Sequence, residues 1–154
     1  EREEFLSAFR ADRGVLRVGF CVLGGSFSEG VDLPGSRLIG SIVVGTGIPS
    51  LSNERNILAE YYEQREPGSG FDYAYAYTGM NRVLQAAGRV IRCEDDRGIV
   101  VLIDDRYSEP GYVRMFPAAW EDIRFTGDAK SLAEIAKRFA TRDAGDTRDA
   151  GKLS

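Results

Sequence analysis

Histidine is absent from the 154 residues. That removes a Ser-His-Asp triad, an imidazole acid or base and a histidine metal ligand, and leaves arginine, carboxylate, amide, hydroxyl and backbone groups for any chemistry. Cysteine is scarce: Cys21 and Cys93 form no C-x-x-C pair and have no metal-site spacing, so no metal site is expected, and a pair of thiols cannot supply the four ligands of an iron–sulfur cluster. A phosphate-cradling G-x-x-x-x-G-K-[ST] loop is also missing. Gly25 to Gly30 has the glycine spacing but continues Val31-Asp32, and Gly145 to Lys152 has one residue too many with no Ser or Thr after the lysine. Positive charge is not in excess, the net charge being -4, so contact with nucleic acid would have to be local or shared with another domain. With no signal peptide and no apolar run long enough for a bilayer, the expectation is a reducing cytoplasmic setting and no membrane partner.

What is present suits one modest α/β domain, since 154 residues with 43% hydrophobic content can bury a core but are too few for two ordinary domains. The chain opens on Glu1 without an initiator methionine, which suggests a portion of something longer. Val18 to Leu23, Leu38 to Val44 and Ile99 to Ile103 are continuous runs rich in Val and Ile, the pattern of parallel strands buried on both faces. Phe5, Leu6 and Phe9 have helical spacing, with Gly14 as a stop. A helix is expected from about Asn53 to Arg65, burying Ile57, Leu58, Tyr61 and Tyr62, and another from about Thr78 to Arg92 with Thr78 as N-cap. Between them Phe71, Tyr73, Tyr75 and Tyr77 alternate with smaller residues and read as extended chain, serving packing before base stacking. Tyr112 to Phe116 is a short helix candidate, and Ile123 to Phe125 a short strand. Ser131 to Glu134 has capping-box spacing ahead of a helix carrying Leu132, Ile135, Ala136 and Phe139. The repeat of Arg142-Asp143-Ala144-Gly145 as Arg148-Asp149-Ala150-Gly151 marks 142–154 as a polar tail, unstructured or a linker, after a domain of residues 1–141.

The segment Gln85-Ala86-Ala87-Gly88-Arg89-Val90-Ile91-Arg92 is the most informative. On a helix Gln85, Arg89 and Arg92 fall within roughly 60° of one another, opposite an apolar stripe of Met80, Val83, Leu84, Ala87, Val90 and Ile91. The pattern by itself serves a solvated face as well as a phosphate-binding one. Upstream stands Gly25-Ser26-Phe27-Ser28-Glu29-Gly30-Val31-Asp32-Leu33-Pro34-Gly35. Taken together, G-S-F-x-E-G-x-D and Q-x-x-G-R-x-x-R closely resemble motifs V and VI of superfamily 2 nucleic-acid helicases in the spelling of the DinG/XPD branch. The flanks agree: Ile42-Val43-Val44-Gly45-Thr46-Gly47-Ile48-Pro49 after the first motif and Gly98 to Tyr107 after the second. The resemblance covers about residues 14 to 120.

The resemblance implies a RecA-like, P-loop NTPase-like domain with a mostly parallel sheet flanked by helices, lacking its own Walker A loop. It would be the second motor lobe of an ATP-dependent DNA helicase, which binds ATP and Mg2+ in a cleft shared with an N-terminal lobe and tracks along single-stranded DNA. Arg89 and Arg92 would be arginine fingers, whose planar donors suit phosphate oxygens, and Gln85 would order the γ-phosphate side or the attacking water. Gly88 would let the other lobe approach closely, or simply ease helix packing. Asp32 resembles the acid that receives ribose hydroxyls or a network water, Glu29 a link between nucleotide and nucleic acid, and Gly30 a turn with exposed amides. Ser26, Thr46 and Gly47 would touch the tracked strand. An iron–sulfur cluster is compatible with the parent protein but not with this chain. Asp104-Asp105 looks like a Walker B end, yet without a phosphate loop or D-E-x-H structural or inter-lobe contacts are favoured. The alternatives are a nucleotide- or dinucleotide-binding module using Gly45-x-Gly47, which has Ser50 where a third glycine would stand and is interrupted by Pro49, and a nonenzymatic interaction domain.

Overall fold

Strands β1 (Gly40–Val44) and β2 (Ile99–Ile103) lie parallel, with Gly40 opposite Ile99 and Val44 opposite Ile103. Parallel neighbours need a crossover, and here it contains helix α2 (Asn53–Arg65), a π-helical turn at Asp72–Ala76 and helix α3 (Tyr77–Ala87). Helix α1 (Arg2–Ala8) precedes this unit, and a 3-10 turn (Asp105–Ser108) and the short helix α4 (Pro110–Val113) follow β2. The result is the α/β class expected from the sequence, a small parallel sheet flanked by helices. This computed structural model describes residues 2–9, 15–25, 33, 37–92, 96–120 and 122–149. They fall in two compact units, Glu1–Met115 and Phe116–Ser154.

In the first unit the core forms where α3 meets β1. Met80, Val83, Ala87 and Val90 of the stripe are buried, together with Val43, Tyr107 and Tyr112, but Leu84 is only half-buried and Ile91 is exposed because the helix has ended before it. The strands are not buried on both faces: Val43 is 6% exposed, whereas Ile42 and Val44 are 68% and 75% exposed. Alternation along a strand sends these neighbours to opposite faces, so β1 is covered on one face, whereas Ile99 to Leu102 of β2 are half-buried on both. Nor does the run from Val18 to Leu23 form a strand. Val18, Phe20 and Val22 are exposed, and the chain there leans on α1 instead, with Gly19 so close to Phe5 and Phe9 that a Cβ would lie 2.7 and 2.8 Å from their rings. Arg37 holds the end of α1 by donating to the carbonyls of Phe9 (2.8 Å) and Leu6 (3.2 Å), the groups a helix C-terminus leaves unpaired.

Ser52 caps α2, its hydroxyl accepting from the Arg55 amide at 3.3 Å. Beyond its C-terminus the Glu63 carboxylate accepts from the amides of Gly68 (2.8 Å) and Gly70 (3.0 Å), which pulls its pKa below the usual range. The helix buries none of its residues, contrary to expectation for Ile57, Leu58, Tyr61 and Tyr62. It is held chiefly by polar reach: Arg55 donates to the Ala74 carbonyl at 2.7 Å, and the Tyr75 hydroxyl donates to Asn56 Oδ1 at 2.7 Å. The aromatic stripe is helical rather than extended. Residues spaced by two are also spaced by four, so Phe71 stacks with Tyr75 (5.5 Å) and Tyr73 meets Tyr77 edge-on (5.2 Å) across successive turns. Thr78 is therefore no N-cap, because α3 continues from the π-helical turn without a break.

In the second unit Phe116 packs against Trp120 at 5.6 Å. Ile123 and Phe125 are exposed and form no strand. Helix α5 (Ala129–Asp149) runs past Thr141, where the sequence suggested a tail. Its cap is Asp128 rather than Ser131: the carboxylate accepts from the Ser131 amide (2.8 Å) and hydroxyl (2.7 Å), which lowers the Asp128 pKa. No helix among the described residues is long and apolar enough to cross a membrane.

Candidate functional site

Gln85 lies on α3 with its side chain exposed. The helix does not carry on to Arg92 as its pattern predicts. It closes at Ala87, with Gly88 as the C-cap, and the amides of Arg89 and Val90 bond back to Ala86 (3.2 Å) and Ala87 (3.0 Å) in a tighter turn. The cause is tertiary: Val90 is buried and seated against Gly98, ahead of β2, leaving no room there for a Cβ. Gly88, at φ -66°, is exposed and stays in ordinary helical conformation. Arg89 is half-buried and Arg92 exposed. They adjoin one another through the backbone, Arg92 Nε donating to the Arg89 carbonyl at 3.3 Å while the Arg92 amide donates to Asp96 Oδ2 at 2.9 Å. The two guanidinium groups thus belong to a capped turn rather than to a helix face.

A second feature is the loop after β1. Gly45 donates to the Ile103 carbonyl at 3.0 Å, and Gly47 has φ +66°, a conformation that favours glycine. Thr46 is 2% exposed and its hydroxyl has no hydrogen-bond partner, so this geometry does not present it to a nucleic-acid strand as expected. Ser26, Glu29, Gly30 and Asp32 lie outside the described residues. Asp104 is engaged by its own neighbour: Arg106 donates Nε to Oδ1 and an Nη to Oδ2, both at 2.8 Å, and these bonds hold the carboxyl below the usual carboxylate range. Among the described residues no three His, Cys, Asp or Glu side chains gather as a metal site. A groove of about 620 Å³ is lined by Tyr73, Tyr77, Met80, Asn81 and Arg114, with acidic Glu66 and Asp72, and no residue expected to act on a ligand borders it. One face of Tyr73 is already stacked on Tyr62 at 4.2 Å, which favours packing for this stripe.

Residues 1–123 match the helicase C-terminal domain. The chain belongs to that family. It is 32% identical over 99 residues to the probable ATP-dependent helicase MJ0942 of Methanocaldococcus jannaschii, covering 59% of this chain and 15% of that protein. Identity is 36% over 124 residues with the regulator of telomere elongation helicase 1 homolog of Caenorhabditis briggsae, covering 75% and 12%. With the ATP-dependent DNA helicase DinG of Photobacterium profundum it is 42% over 84 residues, covering 53% and 12%. The chain therefore spans 12–15% of the length of these relatives. The domain is the C-terminal helicase domain of a DinG/XPD-type protein, with a RecA-like α/β fold.

Two residues of this helicase domain escaped the sequence reading. Arg82 of α3 is one, and its Nη1 donates to the Gly47 carbonyl at 3.3 Å. Tyr107 is the other: it is buried, and its hydroxyl donates to the Gly45 carbonyl at 2.7 Å, fastening the loop after β1 to the turn after β2. Burial, then the nearby Asp104 charge, pushes the Tyr107 phenol up to about 12. Its folded pKa exceeds the unfolded value of about 10, so its contribution to stability is intact below about pH 10 and is lost as pH rises through about 12. An ultraviolet titration should show one of the seven tyrosines ionising last. Tyr107→Phe should remove that step and cost about 1 kcal/mol through the lost hydrogen bond. Unchanged late ionisation in the variant would assign the step to another tyrosine.

Proposed function

We propose that this chain is the second motor lobe of an ATP-dependent DNA helicase, and that hydrolysis and unwinding require an N-terminal lobe of the same parent protein. The observation that carries the reading is the turn of Arg89 and Arg92, which follows directly on the core-anchored helix that bears the exposed Gln85. Planar donors at such a turn suit phosphate oxygens across a cleft. Arg89 and Arg92 then stabilise charge that develops on the transferred phosphoryl group, and Gln85 orients the γ-phosphate side. Glu29, Gly30 and Asp32 serve the nucleotide side, with Gly88 permitting approach of the partner lobe. Ser26 and Gly47 meet single-stranded DNA, with buried Thr46 shaping the loop between β1 and that track.

ATP and Mg2+ are shared with the other lobe. The donors here fit phosphate rather than metal, so the phosphate loop and the metal-binding acid are assigned to that lobe, as is any iron–sulfur cluster. A dinucleotide site at Gly45-x-Gly47 is disfavoured because the Gly45 amide is already committed to Ile103. The test is steady-state ATP turnover. The 154-residue chain alone should show none above background, and the parent protein should hydrolyse ATP faster with single-stranded DNA present. Binding of DNA by the chain alone should be weak and fall steeply with salt. Turnover by the isolated chain that persists through further purification would overturn the separated-lobe reading.

A further inference from the structure

Helix α3 touches two loops at once. At Gly79 it lies so near the loop after β1 that a Cβ would stand 2.5 Å from the Thr46 carbonyl oxygen and 2.8 Å from the Ile48 nitrogen. About one turn further on, half-buried Arg82 donates Nη1 to the Gly47 carbonyl at 3.3 Å. The same side chain runs beside Gly24, where an added Cβ would meet its Nε at 3.1 Å and its Cδ and Cζ at 3.2 Å. Gly24 has φ +78° and leads directly into the segment of Gly25 to Asp32. Leu23 closes the junction, one of its methyls lying 2.9 Å from where a Gly47 Cβ would stand. One guanidinium group thus lies along both loops and grows from the helix whose next turn bears Gln85.

We propose that Arg82 is a positioning residue that makes the response of hydrolysis to single-stranded DNA depend on the placement of these two loops. It touches neither nucleotide nor DNA. A strand held by the loops displaces them against Arg82, and the side chain passes that displacement to α3 and hence to the turn of Arg89 and Arg92. The inference rests on the motor-lobe reading. A planar fork with several donors lies along two backbones at once, which the single ammonium of lysine does not.

The test uses the intact parent protein and a single-stranded oligothymidine, with ATP turnover measured with and without DNA. In Arg82→Ala the DNA stimulation should fall by about tenfold, within the range usual for coupled sites, while unstimulated turnover and the thermal midpoint stay near wild type. Arg82→Lys should restore less than half of the stimulation. Full stimulation in Arg82→Ala overturns the proposal. Equal loss of stimulated and unstimulated turnover with a lowered midpoint also overturns it, since that is the signature of a structural role. A wild-type protein with no stimulation by DNA refutes the motor reading itself, a distinct outcome.

Discussion

Alanine at Arg89 or Arg92 in the parent protein should lower kcat by at least about 10²-fold, a threshold set below the range for arginine fingers. The expected loss is in turnover more than in nucleotide affinity, because interactions made chiefly in the transition state appear in kcat. Folding should survive: Arg92 is exposed and Arg89 half-buried, while the core contact of this turn belongs to Val90 between them. Lysine at either position should rescue poorly, since it keeps the charge without the fork. Steady-state kinetics of the four variants, with circular dichroism to check folding, provides the measurement. Near-normal kcat in both alanine variants would return the turn to the role of a solvated cationic surface.

Gly79→Ala should destabilise the domain even though it replaces glycine by a better helix former. Propensity alone favours alanine by about 1 kcal/mol. The added methyl, however, meets backbone on the facing loop, at 2.5 Å from the Thr46 oxygen and 2.8 Å from the Ile48 nitrogen. Backbone cannot swing aside as a side chain can, so α3 must move off the loop, and overpacking of this kind costs about 1–3 kcal/mol or more. The net expectation is a loss of up to about 2 kcal/mol with a lowered thermal midpoint. Gly111→Ala in α4 is the control, because nothing lies within 4 Å of its added Cβ. A Gly79 variant as stable as the control would mean that the helix–loop contact is looser than described.

The parts of this domain that were legible from sequence are those set by local periodicity. Of the apolar stripe, Met80, Val83, Ala87 and Val90 are buried as their spacing requires, whereas Leu84 is half-buried and Ile91, past the end of α3, is exposed; the runs ending at Val44 and Ile103 pair as parallel strands. Misread parts were decided by distant partners or by an ambiguous period. The stripe from Phe71 to Tyr77 satisfies a spacing of two and of four equally, and its helical form brings Tyr73 onto Tyr62 and Tyr75 onto Asn56, partners outside the segment. The closing of α3 at Ala87 follows from Val90 seating on Gly98, eight residues along the chain. Arg82 drew no assignment from the sequence, because its acceptor, the Gly47 carbonyl, lies 35 residues away. Tyr107 was hidden for the same reason, being 62 residues from Gly45.

The π-helical turn at Asp72–Ala76 has a consequence for insertions and deletions during descent. Such a turn holds a surplus residue within a helical path. A lineage that loses one residue from Asp72–Ala76 can relax to a regular helix and keep everything downstream in phase. The same loss between Met80 and Ala87 has no surplus to draw on, and it rotates the following chain by about 100°. Gln85 and the arginine turn would then face away from their present direction. Gaps between homologous sequences should accordingly collect ahead of Tyr77 and stop there.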